Sequence, residues 1–192
     1  MSEENEFGTE FRVEIEGIKP LLMHSTRGMT SGPKLKRGAI LPPEDEAELA
    51  LYKNEEGIIV IPGDILLGSI KSASTDFKVG GKGRKTFKTY VDSGLEIEDA
   101  VLDPQEYAID SRPVKIGQAR IIRSRPRFDK WNAVFYVTII DGETWLDPFD
   151  KEFGGGATLR DIIMASGQFK GICDFRPRFG RFRVISFEPV EE

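Results

Sequence analysis

One cysteine, Cys173, and one histidine, His24, are all that the chain holds of the two residue types most used for cross-links and zinc. An intrachain disulfide is therefore excluded, and so is a Cys/His-rich zinc site. No apolar run approaches the roughly 20 residues that span a bilayer. The first residues lack the charged and apolar regions of a secretory signal, so the expected location is cytoplasmic with no membrane partner. The lysine-glycine stretch 78–88 lacks the Gly-x4-Gly-Lys-Ser/Thr spacing of a phosphate-binding loop, which gives no indication of nucleotide hydrolysis. The carboxylates are dispersed without a metal-binding constellation. No cofactor, metal site or catalytic residue is expected.

What the chain has is charge, unevenly placed. At 192 residues, with 39% apolar and 31% charged side chains, it is long and apolar enough for one domain with a real core or with large insertions. The net charge of -5 hides a segregation: segments 27–37, 78–88, 112–130 and 170–183 hold 4, 5, 7 and 5 basic residues, or 21 of 27. Only Asp129 and Asp174 lie among them, leaving 6 basic against 30 acidic residues elsewhere. Affinity for nucleic acid follows local rather than total charge. The plainer reading of one basic run is a solvated loop, but four runs so poor in acid weaken it.

The first strand is legible over Thr9–Ile18, where Phe11, Val13 and Ile15 alternate with Arg12, Glu14 and Glu16. Pro42-Pro43 precedes a short acidic helix from Glu44 to about Tyr52, and Ile58–Ile61 reads as a strand. Pro62-Gly63-Asp64 opens a helix from Ile65 to about Thr75, in which Gly68 is expected to let the helix approach a sheet closely. Gln118–Arg123 and Asn132–Ile140 read as a strand pair joined by a basic, aromatic hairpin, Ser124–Trp131. A helix is predicted over Thr158–Ser166, capped by Gly167, and a last strand over Arg181–Glu188 with an irregularity before Ile185. With insertions removed the order is βαββαβ, so the expected fold class is α+β with a ferredoxin-like, RNA-recognition-like sheet. The domain would run over 7–190, with insertions at about 26–60 and 77–117 and a disordered tail at 1–6.

Two segments carry a family resemblance. Ile61-Pro-Gly-Asp-Ile-Leu-Leu-Gly68-Ser-Ile-Lys71 resembles the "I-P-G-S-S-L-K-G-hydrophobic-R" signature of the RAMP superfamily, the backbone and guide-processing proteins of CRISPR effector complexes in antiviral defence. Asp64 and Leu67 stand where that signature has serine and lysine. Gly167–Phe182 occupies the place of the glycine-rich loop that those proteins carry before their last strand, with more arginine and less glycine. The resemblance implies a single-stranded RNA or guide-RNA binder that stacks with copies of itself or other effector subunits, with 77–117 as a thumb-like insertion. The chain is also similar to uncharacterised phage and prophage proteins with a "P-L-L-M-H" start and an "R-P-R-F-G-R-F" end.

The candidate phosphate contacts are Lys34, Lys36, Arg37, Lys82, Arg84, Lys85, Arg120, Arg123, Arg125, Arg127, Lys130, Arg176, Arg178 and Arg181. Arginine forks suit phosphate oxygens, and an unpaired charge is too costly to bury. Arg-Pro-Arg-Phe occurs at both 125–128 and 176–179, as two clamps or two stiff turns. Phe128, Trp131, Phe175 and Phe179 are the candidates for stacking on bases, against the common fate of aromatics in a core. RNA is favoured over DNA as the ligand. Three alternatives stay open: a viral single-stranded DNA-binding or annealing protein, a metal-independent endoribonuclease using His24 as base, and a structural assembly protein whose basic loops meet acidic faces of its neighbours.

Overall fold

The computed structural model describes residues 9–26, 41–140 and 159–190; the predicted tail at 1–6 lies outside them. In chain order the elements are β1 (Thr9–Gly17), β2 (Leu21–Leu22), α1 (Pro43–Leu49), β3 (Val60–Ile61), α2 (Gly63–Ser74), α3 (Lys88–Gly94), β4 (Leu95–Ile97), β5 (Ala100–Asp103), β6 (Ala108–Ile116), β7 (Ala119–Phe128), β8 (Asn132–Ile139), α4 (Leu159–Ala165), which widens into a π turn over Ser166–Lys170, and β9 (Phe182–Pro189). The class is mixed α+β with antiparallel sheets.

β1 sits inside the larger sheet, antiparallel to β8 on one side and β9 on the other. Val13 faces Phe135 across one ladder and Phe187 across the other, so the predicted alternation places Val13 and Ile15 with Ala133, Phe135, Val137 and Ile139 on one buried face. Leu66, Ile70 and Ala73 of α2 and Leu159, Ile162 and Ile163 of α4 join these residues in one core. Arg12, Glu14 and Glu16 fall on the opposite face, half-exposed. The register shifts between Glu14 and Ile15 opposite β9, which fits the irregularity predicted near Ile185, now exposed at 49%.

The expected partner of β8 is corrected. The predicted strand 118–123 is part of β7, which continues through Phe128 and belongs to a second sheet of order β2-β7-β6; no hairpin joins β7 to β8. Adjacent Ile121 and Ile122 point to opposite faces, so β7 lacks a consistent apolar face, and Ile122 is 65% exposed. β7 pairs instead with its immediate neighbour β6 across a two-residue turn, the cheapest ladder to close. The edge of β8 is taken by β4 and β5, whose Leu95, Ala100 and Leu102 are buried, and β3 pairs with β5. Residues 77–117, expected to project from the frame, thus supply α3 and two strands of the main sheet.

Two glycines also differ from expectation. Gly167 does not cap α4: the helix widens past it, and a Cβ there would meet the Phe182 ring at 2.5 Å. Its smallness lets the π turn lie against β9, and Gly171, with φ of 69°, ends the segment. Gly68 does not pack on a sheet; it is exposed on α2, and a Cβ there would meet nothing within 4 Å. Thr158, the predicted start of the last helix, lies outside the described residues.

Candidate nucleic-acid interface

The loop from Gly171 to Arg181 is closed at its neck and sewn to the segment after β1. Ile172 N donates to Gly180 O at 3.0 Å, Gly180 N donates to Pro20 O at 2.8 Å, and Asp174 N donates to Leu22 O at 2.9 Å. The Ile172 side chain is fully buried beneath them. Cys173 and Phe175 adopt φ of 59° and 56°, a region that costs an L-residue roughly 1–2 kcal/mol. The neck holds them there, and the strained pair turns the loop's side chains toward the second sheet.

That sheet meets the loop with guanidinium groups. Arg112 of β6 lies over the Phe179 ring at 4.6 Å, Phe179 stands edge-on to Phe175 at 6.3 Å between centroids, and Arg125 of β7 lies over Phe175 at 5.0 Å. The result is a continuous Arg–Phe–Phe–Arg row made by two distant stretches of chain. Arg125 is 7% exposed and is paired with Asp174 at 2.5 Å. Asp110 binds Arg112 through both carboxylate oxygens and also reaches Arg127 at 3.3 Å. The Arg112 hydrogen bond, followed by Arg127, holds the Asp110 carboxyl below its ordinary range against the effect of burial. Glu46 of α1 accepts from Arg123 at 2.7 Å and from Ser124 N at 2.9 Å, fixing α1 against β7.

Arg176 and Arg178 differ from all of these. Both are exposed, and neither forms an ion pair with any described residue. Arg181 donates to Gln168 O at 2.7 Å, which ties the loop to the π turn. Arg120, near the start of β7, and Lys130, in the bend that follows it, are exposed. Lys82 and Lys85 fold onto Tyr90, donating to its hydroxyl at 3.0 and 3.2 Å, while Arg84 between them is exposed. Lys34, Lys36 and Arg37 lie outside the described residues.

The four stacking candidates divide evenly. Phe128 and Trp131 are 1% and 2% exposed, and Trp131 Nε1 donates to Lys19 O at 2.9 Å. Both are core residues without a face open to a base. Phe175, 38% exposed, and the half-buried Phe179 are in the row. Sequence reasoning did not single out Arg112, Asp110 or Glu46. Asp110 and Arg112 at i, i+2 on one strand share a face and were legible as a pair. Glu46 lies 77 residues from Arg123, and no local signal joins them.

Beside the loop is a cavity of about 310 Å³ lined by His24, Tyr52, Asp64, Ile65, Gly68, Cys173, Asp174 and Arg176. Tyr52 Oη donates to His24 O at 2.9 Å. Burial, and next the charge of Arg125, lower the His24 pKa, so its imidazole is neutral at neutral pH. Burial pushes the Cys173 thiol up to about 12, which disfavours its thiolate. Among the described residues, no group of three or more His, Cys, Asp or Glu is placed to hold a metal ion, and no helix is long and apolar enough to cross a membrane. Comparison with protein families found no family model that matches the chain, and comparison with the curated proteins found no match.

Proposed function

We propose that the chain is a non-enzymatic protein that binds single-stranded RNA along its backbone, as an assembling subunit of a ribonucleoprotein of CRISPR type. The observation that carries the binding is the contrast between Arg176 and Arg178, exposed and without a described carboxylate partner, and the Arg–Phe–Phe–Arg row beside them. Two exposed guanidinium groups, unpaired among the described residues, next to exposed aromatic surface match a phosphate followed by a base. The open face of the main sheet is a poorer platform, because Glu14 and Glu16 lie on it with Arg12 and Arg183 already paired to them. The strand order β9-β1-β8-β5, all antiparallel, with α2 after β1 and α4 after β8, supports a ferredoxin-like reading of the frame and with it the RAMP resemblance. The assembly role rests on that resemblance alone.

The test is the salt dependence of RNA binding. With about six phosphates engaged, the logarithm of the association constant falls against the logarithm of salt with a slope near -4. An affinity that is absent at low salt, or unchanged between about 50 and about 300 mM, removes the proposal. Competition with DNA of the same sequence separates RNA from the single-stranded DNA alternative. A second reading, metal-independent RNA cleavage with His24 as base, is favoured by the lowered pKa of His24 and its place with Arg176 in one cavity. Labelled RNA that stays intact for hours without metal excludes it.

A further inference from the structure

Gly68 is the sixth residue of the twelve-residue helix α2. Glycine inside a helix costs roughly 1 kcal/mol relative to alanine. That cost is ordinarily explained by a neighbour that leaves no room for a Cβ, but at Gly68 a Cβ would meet nothing within 4 Å. The folded chain does not need the missing side chain. The space it leaves belongs to the cavity, whose wall Gly68 forms together with Ile65.

The remaining lining defines what fits. At about 310 Å³ the cavity lies at the small end of ligand sites, the size of a single nucleotide. Tyr52 and His24 contribute flat rings, and the hydrogen bond from Tyr52 Oη to the His24 backbone carbonyl holds the tyrosine beside that residue. Arg176 brings an exposed guanidinium, unpaired among the described residues, for a phosphate. Asp174 is held by Arg125, but Asp64 is exposed and forms no ion pair with any described residue. A free carboxylate is a pure acceptor with two oxygens side by side. Guanine alone among the common bases presents two adjacent donors, N1–H and N2–H, on its pairing edge. Adenine and cytosine place an acceptor beside their single amino group, and uracil flanks its one N–H with carbonyls.

We propose that this cavity takes one guanine nucleotide, with the base edge on Asp64, the ring over Gly68 against Tyr52 and His24, and the phosphate on Arg176. The proposal deepens the RNA-binding reading and rests on it for its biological setting, since it gives a strand otherwise held by its backbone one position that is read.

The test has two arms. In the first, guanosine 5′-monophosphate is titrated into the full chain against the adenosine, cytidine and uridine monophosphates, with binding read by calorimetry. The guanine nucleotide is expected to bind at least about tenfold more tightly than the others. Asp64→Asn should abolish that preference, and Gly68→Leu, which fills the cavity from a position with open space, should abolish binding of all four. Equal affinity for the four nucleotides, or a guanine preference untouched by both variants, overturns the proposal, as does the absence of guanosine monophosphate binding. In the second arm, an oligouridylate of about 15 nucleotides is compared with the same strand carrying one central guanosine. A gain for the guanosine strand that Asp64→Asn removes supports the pocket. Failure of both strands to bind refutes the RNA-binding reading, while the mononucleotide arm still decides the pocket by itself.

Discussion

The two copies of Arg-Pro-Arg-Phe lie side by side in the structure, one in a strand and one in a loop. In β7, Arg125 is buried and paired with Asp174, Arg127 is shared between Asp110 and Asp129, and Phe128 is 1% exposed in the core. In the loop, Arg176 and Arg178 are exposed without a described partner, and Phe179 is half-buried beneath Arg112. The same four side chains serve as structure in one place and as an available surface in the other. The difference lies in the acids that surrounding elements bring up to them. Asp110 and Asp174 neutralise the strand copy, whereas Arg176 and Arg178 form no ion pair with either acid.

The largest effect that separates the copies is expected at the two phenylalanines. Phe128→Ala should cost about 4 kcal/mol of stability, because it opens a cavity in the core, whereas Phe179→Ala should cost about 1 kcal/mol. Urea unfolding midpoints measure both, and equal losses would erase the distinction between them. Next comes Asp174→Ala, which leaves the buried Arg125 guanidinium without its carboxylate and should cost about 3 kcal/mol. Asp174→Ala combined with Arg125→Met should recover part of that loss, since the unpaired charge is then gone.

The double variant Arg176→Ala, Arg178→Ala sharpens the comparison from the other side. Its unfolding midpoint should stay near that of the unaltered chain, while the salt slope of RNA binding becomes shallower by about 1.4. A variant that unfolds more easily and binds RNA as before would show the loop copy to be structural as well.

How much of this was legible depended on the range of the signal. β1 and β8 carried their burial in period-two alternation, and both were read within a residue or two of their observed bounds. The Pro62-Gly63-Asp64 start of α2 was equally clear, because helix initiation is a local event. β5 was missed and β4 was legible only as a strand somewhere within 86–97, since four and three residues are too few to show a period. The assignment of 118–123 to the main sheet failed for a different reason. Its composition is that of a strand, but which sheet it joins is settled by pairing with β6 and by the competing apolar edge of β4 and β5. At the site, the arginines and phenylalanines were visible as residue types, and their division into paired and free was not. That division depends on acids that come from far along the chain, such as Glu46 at Arg123.

The smallest expected effect is the one that would make the strand copy more like the loop copy. Asp110 holds Arg112 and Arg127 at once, so Asp110→Asn keeps the shape of the side chain while releasing both guanidinium groups from a carboxylate. Two consequences follow with opposite signs. Stability at neutral pH should fall by about 1 kcal/mol, the net worth of the lost charge-assisted bonds. The folded carboxyl titrates below its ordinary 3.8, so its contribution is present above that value and disappears as pH falls through the lower folded value. The variant should therefore show a flatter decline of stability in acid, with the two proteins converging once the pH has fallen below the lowered folded value. RNA affinity at low salt should instead rise by about twofold to fivefold, because one negative charge has left the neighbourhood of the Arg–Phe–Phe–Arg row. If the stability changes as expected but the affinity does not, Arg112 and Arg127 lie too far from the bound strand to matter, and the interface narrows to the loop carrying Arg176 and Arg178.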